Sequence, residues 1–262
     1  MLAALAGGVG AARFLAGLVQ CVEPSEITVV VNTGDDEEFF GLHVSPDLDS
    51  ITYTLAGASN TEQGWGLEGE SFRTMQAIAR YGEPNWFNLG DLDLATHIFR
   101  TRRLRDGAAL ADVTADIAAA WQLALRLLPM SNDPVRTRIT CTRPDGTREV
   151  LAMQEWFVRE RAEPPVVHVG FEGADTARPA PGVLDALDAA DTIVICPSNP
   201  IISIGPILAV PGVRDALVRR RHRVVAVCPI IDGAPVRGPA DRLMAPLGDE
   251  VSPAGVARHY RE

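Results

Sequence analysis

The chain has 262 residues, 47% of them apolar, enough for one sizeable core. Its formal net charge of −10 disfavours non-specific nucleic-acid binding, which needs cations to neutralise phosphates, and no apolar run reaches transmembrane length. All 24 basic residues are arginine, which excludes a P-loop lysine and a Schiff-base lysine.

Residues 2–6 (LAALA) form a short apolar run, followed by glycines and an amphipathic stretch from Ala11 to Val19. This predicts a strand, a glycine turn and a helix. Gly7, Gly8 and Gly10 let the backbone approach a ligand, and the helix start offers free N–H groups to an anion. Arg13 sits in the first turn, against the dipole preference, and is assigned to a ligand. The spacing Gly8, Gly10, Ala12 lacks a good GxGxxG, which counts against a dinucleotide. Glycines and Arg13 interrupt residues 1–18, so no signal peptide is read there. Cys21, Cys141, Cys196 and Cys228 form no CxxC pair and read as buried free thiols of a cytoplasmic protein.

Residues 27–32 read as a second buried strand, and VVNTGDDEEFFGLHVSPDLDS (30–50) crowds carboxylates at its end. In a parallel sheet, ligands lie beyond the carboxyl ends of strands. Ser45-Pro46-Asp47 reads as a helix start with serine at the N-cap, which accounts for Asp47 structurally and for Asp49 less well. Asp35 and Asp36 have no such explanation. Packed carboxylates repel unless a cation intervenes, and a hard divalent ion is the usual solution, with a solvated acidic loop as the alternative.

Helical spacing extends over 71–81, 91–105 and 109–128, and Arg143-Pro144-Asp145-Gly146 joins a hairpin of 135–142 and 147–151. Apolar runs recur at 166–169, 192–196 and 223–229, with helical spacing from Val213 to Arg220. The fold class is therefore α/β, a mostly parallel sheet with helices on both faces. Residues 1–59 and 166–262 form its core and 60–165 a largely helical insertion with a hairpin, in one domain. Ser198, Asn199, Ser203 and Gly205 follow one strand and suit phosphate or sugar contacts. Arg237 follows another as a phosphate clamp. The five histidines show no paired ligand spacing, and the four tryptophans are assigned to the core.

Assembled, these segments resemble the 2-phospho-L-lactate transferase family of coenzyme F420 biosynthesis. The matching segments are LAGGVGAARFLAGL, VVNTGDDEEFFGLHVSPDLDSITYTLAG, GWGLEGESF, WFNLGDLDLATHIFRT, LLPMSNDP, PSNPIISIGPILAVPG and PIIDGAPVRGPADRLM, in order through most of the chain. The resemblance implies a Rossmann-like fold, usually dimeric. It implies magnesium-dependent transfer of a phosphorylated three-carbon acid from its GDP-activated form to the deazaflavin Fo, with release of GMP. It also implies a further strand–helix unit beyond Glu262.

Carried onto this chain, Asp49 and Asn88 fall where the family contacts the deazaflavin. Asp35 and Asp47 are the metal candidates, Asp49 and Asp36 the catalytic ones. The glycine turn with Ser198, Asn199, Ser203 and Gly205 would hold the nucleotide. Asp49→Asn is expected to cut turnover by orders of magnitude and leave folding nearly intact. The competing reading is a nucleotide-sugar-binding regulator of the gluconeogenesis-factor type, which shares the fold. Bulky Phe39 and Phe40 suit a flat aromatic acceptor better than a second phosphate nest, and core packing explains them too.

Overall fold

A computed structural model of the chain describes residues 1–261. Strand β1 (Leu2–Ala6) runs into helix α1 (Gly8–Leu18) and then β2 (Ile27–Val31). A short ribbon of β3 (Glu37–Phe39) and β4 (Leu42–Val44) leads to α2 (Pro46–Leu55). Helices α3 (Arg73–Ile78), α4 (Asp93–Arg105) and α5 (Leu110–Ala120) precede β5 (Arg126–Pro129). Next come β6 (Arg136–Thr142), β7 (Arg148–Ala152) and β8 (Val166–Glu172). The chain returns through α6 (Val183–Ala189), β9 (Thr192–Ile195), α7 (Gly205–Ala209), α8 (Val213–Arg219) and β10 (Val224–Ala226). Beyond them lie α9 (Ala240–Met244) and α10 (Pro253–Arg261).

The central sheet has the order β10-β9-β1-β2-β5 and is parallel throughout. Successive side chains of a strand alternate between faces, so an unbroken apolar run buries both. Leu5, Val30, Leu128 and Ile195 pack with Leu187 of α6 and Leu217 of α8. Ala4, Ala6, Val29 and Val31 point the other way, onto Ala11 and Leu15 of α1, Ile51 of α2 and Leu110 of α5. The small residues of β1 and α1 let that helix lie close to the sheet. Each large aliphatic side chain so buried contributes roughly 1.5–3 kcal/mol.

Three expectations fail here. Residues 166–169 do not join the parallel sheet: β8 pairs antiparallel with β6, making the three-stranded sheet β7-β6-β8. The place at the far edge goes instead to β5, where the helical spacing read over 109–128 breaks after Ala120. Segment 60–165 thus contributes a strand to the central sheet, and 166–172 lies outside it. The run 223–229 is a strand only over Val224–Ala226, with Val225 54% exposed at the open edge. The hairpin on Arg143–Gly146 forms as read, from β6 and β7.

Cys141 and Cys196 are buried, but Cys21 is exposed and Cys228 intermediate; all four are free. Burial pushes the Cys196 thiol up to about 12, so it is an inert core group. No single helix among the described residues is long and apolar enough to cross a membrane.

Candidate functional site

The carboxyl ends of β1, β2 and β9 meet at one rim. There the glycine turn, the GDD stretch and the loop after Ile195 come together. Gly10 is what lets α1 approach that loop: a Cβ on it would stand 2.6 Å from the Pro197 carbonyl oxygen. Glycine-to-alanine inside a helix ordinarily stabilises. Here Gly10→Ala is expected to destabilise by about 1–3 kcal/mol, read as a lower urea midpoint. A midpoint equal to wild type or higher would refute the close approach.

Asn32, fully buried, organises the cluster. Its Nδ2 donates to Asp35 Oδ2 at 3.2 Å and to Asp47 Oδ2 at 2.9 Å, and also lies 3.3 Å from the Ile202 carbonyl. Its Oδ1 accepts from the Gly34 amide at 2.8 Å. Two carboxylates of distant segments therefore share one neutral amide. Asp36 faces elsewhere: its Oδ2 accepts from the Ser45 hydroxyl at 2.7 Å and lies 2.9 Å from His43 Nε2. Asp35, Asp36 and Asp47 are all buried, and the Oδ1 atoms of Asp35 and Asp36 have no hydrogen-bond partner.

Burial, reinforced by the neighbouring carboxylates, raises Asp35 well above the usual carboxylate range. Burial also raises Asp47 to about 7, against hydrogen bonds from Asn32 and the Gly8 amide. The first-turn acid of α2 thus serves the start of α1 instead of its own helix. Ser45 stands at the N-cap as read, but its hydroxyl makes no capping bond and goes to Asp36.

The sign of the pH dependence follows. An acid whose folded pKa is raised binds more protons folded than unfolded, so folding weakens as pH rises from about 3.8 toward about 7. Thermal midpoints of the metal-free protein are expected to fall across that window because of Asp47. Asp47→Asn should flatten the fall. A midpoint that rises through the window, or an equal slope in the variant, would contradict it.

Asp49 lies apart from this cluster. It is buried beneath α4, bound through both oxygens by Arg100, with Nη1 to Oδ2 at 3.1 Å. His97 Nδ1 is 3.7 Å from Asp49, and His97 Nε2 is 3.2 Å from Asp93. Tyr53 donates to Asp93 Oδ1 at 2.5 Å. Burial pushes the Asp49 carboxyl up, against Arg100 and His97, which hold it down. For Asp93, His97 and Tyr53 outweigh burial and the net shift is downward.

Asp49, Asp93 and His97 present ligand atoms within 4.8 Å of one another, a set that could hold a metal. Arg100 already supplies a positive charge at Asp49, which argues against a dication in the same place. The pair argues against the expectation that Asp49→Asn folds nearly intact. That change strands a buried guanidinium. Sequence reasoning missed Asn32, Asp93 and Arg100. The signal for two of them was present, since Asp93, His97 and Arg100 recur at helical spacing on one face of DLATHIFR.

Two clefts flank the acidic cluster. One, of about 450 Å³, is lined by Phe39, Phe40, Trp86, Phe87, Glu38 and Arg138. Phe39 and Phe87 stack at 4.0 Å, and Asn88 is exposed on the next residue of that loop. The other is smaller and lies between α1, α2 and the loop of residues 59–66, with Arg13 and Trp65 in its lining. Arg237 reaches this loop, with Nη2 3.5 Å from the Gly64 carbonyl. Ser198 and Ser203 are buried beside the glycine turn, the Ser198 hydroxyl accepting from the Gly7 amide at 3.3 Å. Asn199 spends its Oδ1 on the amides of Ile201 and Ile202, a helix cap. Gly205 opens α7 against Phe171. Of the tryptophans assigned to the core only Trp156 is fully buried; Trp65 is 39% exposed.

Fold and site define a class: a Rossmann-like α/β protein with its polar chemistry gathered at the carboxyl rim of a parallel sheet. The chain belongs to the 2-phospho-L-lactate transferase CofD family, whose profile matches residues 2–259. It is 50% identical over 257 residues to a phosphoenolpyruvate transferase of Streptomyces griseus subsp. griseus, covering 98% of this chain and 80% of the relative. It is 48% identical over 265 residues to a phosphoenolpyruvate transferase of Thermobifida fusca, covering 98% and 81%. Among solved structures, a UPF0052-family protein of Bacillus halodurans is similar with TM-score 0.54 and 19% identity, over 82% of this chain and 64% of that one. A second solved structure of that same protein gives TM-score 0.57 and 18% identity, over 97% and 77%. At such identities the likeness is one of fold.

Proposed function

We propose that this chain is a magnesium-dependent transferase of coenzyme F420 biosynthesis. It would move phosphoenolpyruvate from its GDP-activated form to the deazaflavin Fo and release GMP. The names of the relatives favour phosphoenolpyruvate over 2-phospho-L-lactate as the transferred acid. The observation that carries the reading is the cluster of buried carboxylates around Asn32. Among the described residues no arginine pairs with Asp35 or Asp47, unlike Asp49. An all-oxygen donor set that includes the orphaned Oδ1 of Asp35 fits a hard dication. Asp35 and Asp47 would hold magnesium, which neutralises phosphate charge when bound.

Every other role belongs to the chain. Gly7, Gly8 and Gly10 would admit the diphosphate to the α1 amides, with Ser198, Asn199, Ser203 and Gly205 on the facing loop. Arg13 and Arg237 would hold its outer charges. The aromatic cleft beside Asn88 would take the deazaflavin ring. A ribityl hydroxyl of Fo then attacks the phosphorus bearing the three-carbon acid, and the bond to the GMP oxygen breaks. Asp36 would accept the hydroxyl proton at its free Oδ1, with His43 and Ser45 fixing its other oxygen. Asp49, tied to Arg100, would position α2 more than exchange protons. Transfer of this kind depends mainly on alignment and charge neutralisation.

The same reading makes the protein a cytoplasmic homodimer. Mass spectrometry of products formed from Fo with each GDP-activated acid tests it. A mass increase of Fo by the phosphoenolpyruvyl group, dependent on magnesium, is expected. No Fo product from any donor would end the reading.

A further inference from the structure

The GWGLEGESF segment has no part in the reaction described so far, yet it builds an unusual surface. Trp65 sits between Gly64 and Gly66, both in the left-handed region with φ of 80° and 72°. That backbone projects an indole that stays 39% exposed, although an apolar ring of this size gains most by burial. The loop is not loose. The Asn60 carboxamide oxygen accepts from the amides of Glu62 and Gln63, at 3.1 and 2.9 Å, and Ser59 bridges to Leu67 across its base. Phe72 supports the indole, with ring centroids 5.9 Å apart. A braced, half-exposed tryptophan with hydrogen-bonding side chains beside it is the form of a stacking platform.

Its neighbours indicate what stacks there. Arg13 of α1, Asn60, Thr61 and Tyr53 line the same cleft as Trp65, and Arg237 reaches the Gly64 carbonyl. An arginine in the cleft with the indole, and a second at the neighbouring Gly64 carbonyl, favour a flat ring joined to phosphate over an uncharged ring. The cleft holds about 70 Å³, too little for a whole nucleotide. A base laid on the indole would therefore leave sugar and phosphates outside. The acidic aromatic cleft has the opposite character, with Glu37, Glu38, Glu83 and Glu155 around its rings.

We propose that Trp65 is the stacking surface for the purine base of the nucleotide donor, with Asn60 and Thr61 at the base edge and Arg13 and Arg237 toward its phosphates. The inference rests on the nucleotide-donor reading above and assigns that donor's base a place.

Titration calorimetry of the full chain with magnesium and GDP tests it, with ADP and Fo as separate arms. Trp65→Ala is expected to weaken GDP about 10-fold or more, the contribution of one stacked base, while Trp65→Phe keeps most of the affinity. Fo binding should be unchanged in both variants. Because Trp65 is surface-exposed, thermal midpoints near wild type are expected for both. Equal GDP affinity in wild type and Trp65→Ala would overturn the proposal, as would loss of Fo affinity with GDP affinity kept. Failure of the wild type to bind either nucleotide would overturn it too. Trp65-dependent GDP binding in a protein that makes no Fo product would leave the platform standing and remove only the transferase reading.

Discussion

Replacing Arg100 with methionine is expected to lower the unfolding free energy by about 3–5 kcal/mol, the usual cost of stripping one partner from a buried ion pair. Arg100 is 2% exposed and bridges α4 to Asp49 of α2, so its loss leaves a buried carboxylate without a counter-charge. Such a carboxylate escapes the penalty by taking a proton. The variant's deficit should therefore be smaller at pH 5 than at pH 8. Urea melts at the two pH values measure both effects. The double variant Arg100→Met with Asp49→Leu should recover much of the loss, because two apolar groups replace a pair that had been costly to desolvate. A single variant as stable as wild type would mean that the pair contributes nothing. The consequence for function is direct: low turnover in any Asp49 variant is informative only alongside its melting curve.

Asp47→Asn is expected to have the reverse profile, with turnover falling roughly 100- to 1000-fold, as when one preorganised electrostatic contact is lost. The metal-free protein should nevertheless become more stable at pH 8. Burial disfavours the Asp47 anion, so the wild type carries an electrostatic penalty that a neutral amide removes. Sites that hold charge for a ligand commonly cost stability in this way. Asp35→Asn should behave alike, since burial and the neighbouring carboxylates raise that group too. Magnesium titrations followed by thermal shift supply the independent readout. Magnesium should raise the midpoint of the wild type and leave either variant unmoved. An Asp47→Asn protein that keeps both turnover and its magnesium shift would remove that carboxylate from the site.

The two acids two residues apart on one helix turn thus belong to different structures. Asp47 turns toward Asn32 and the start of α1, and Asp49 toward α4. Helical geometry separates positions i and i+2 by about 200°, so they cannot share a face. SPDLD alone shows that much. What the spacing leaves open is which neighbour each carboxylate meets, because Arg100 lies 51 residues further along.

Much of the fold was nonetheless legible in the chain. Unbroken apolar strands, glycine and proline punctuation and a serine-proline helix start are local features, and they located β1, α1, β2, α2, β9, α8 and the β6–β7 hairpin. The GDD stretch also announced the rim, because buried charge beside a strand end needs a reason that packing does not supply. Tertiary structure alone decided the rest. VVHV has the same apolar character whether it joins a parallel or an antiparallel sheet, and a four-residue strand such as β5 carries too few residues for its periodicity to outweigh that of the helix before it. Nor does any local pattern reveal that Ser45 would give its hydroxyl to Asp36, that Asn32 would join two carboxylates, or that Trp65 would stay half in solvent. Amphipathic pattern is set by each residue's own preference for water, whereas partners are chosen by which segments the packed core brings within hydrogen-bonding reach.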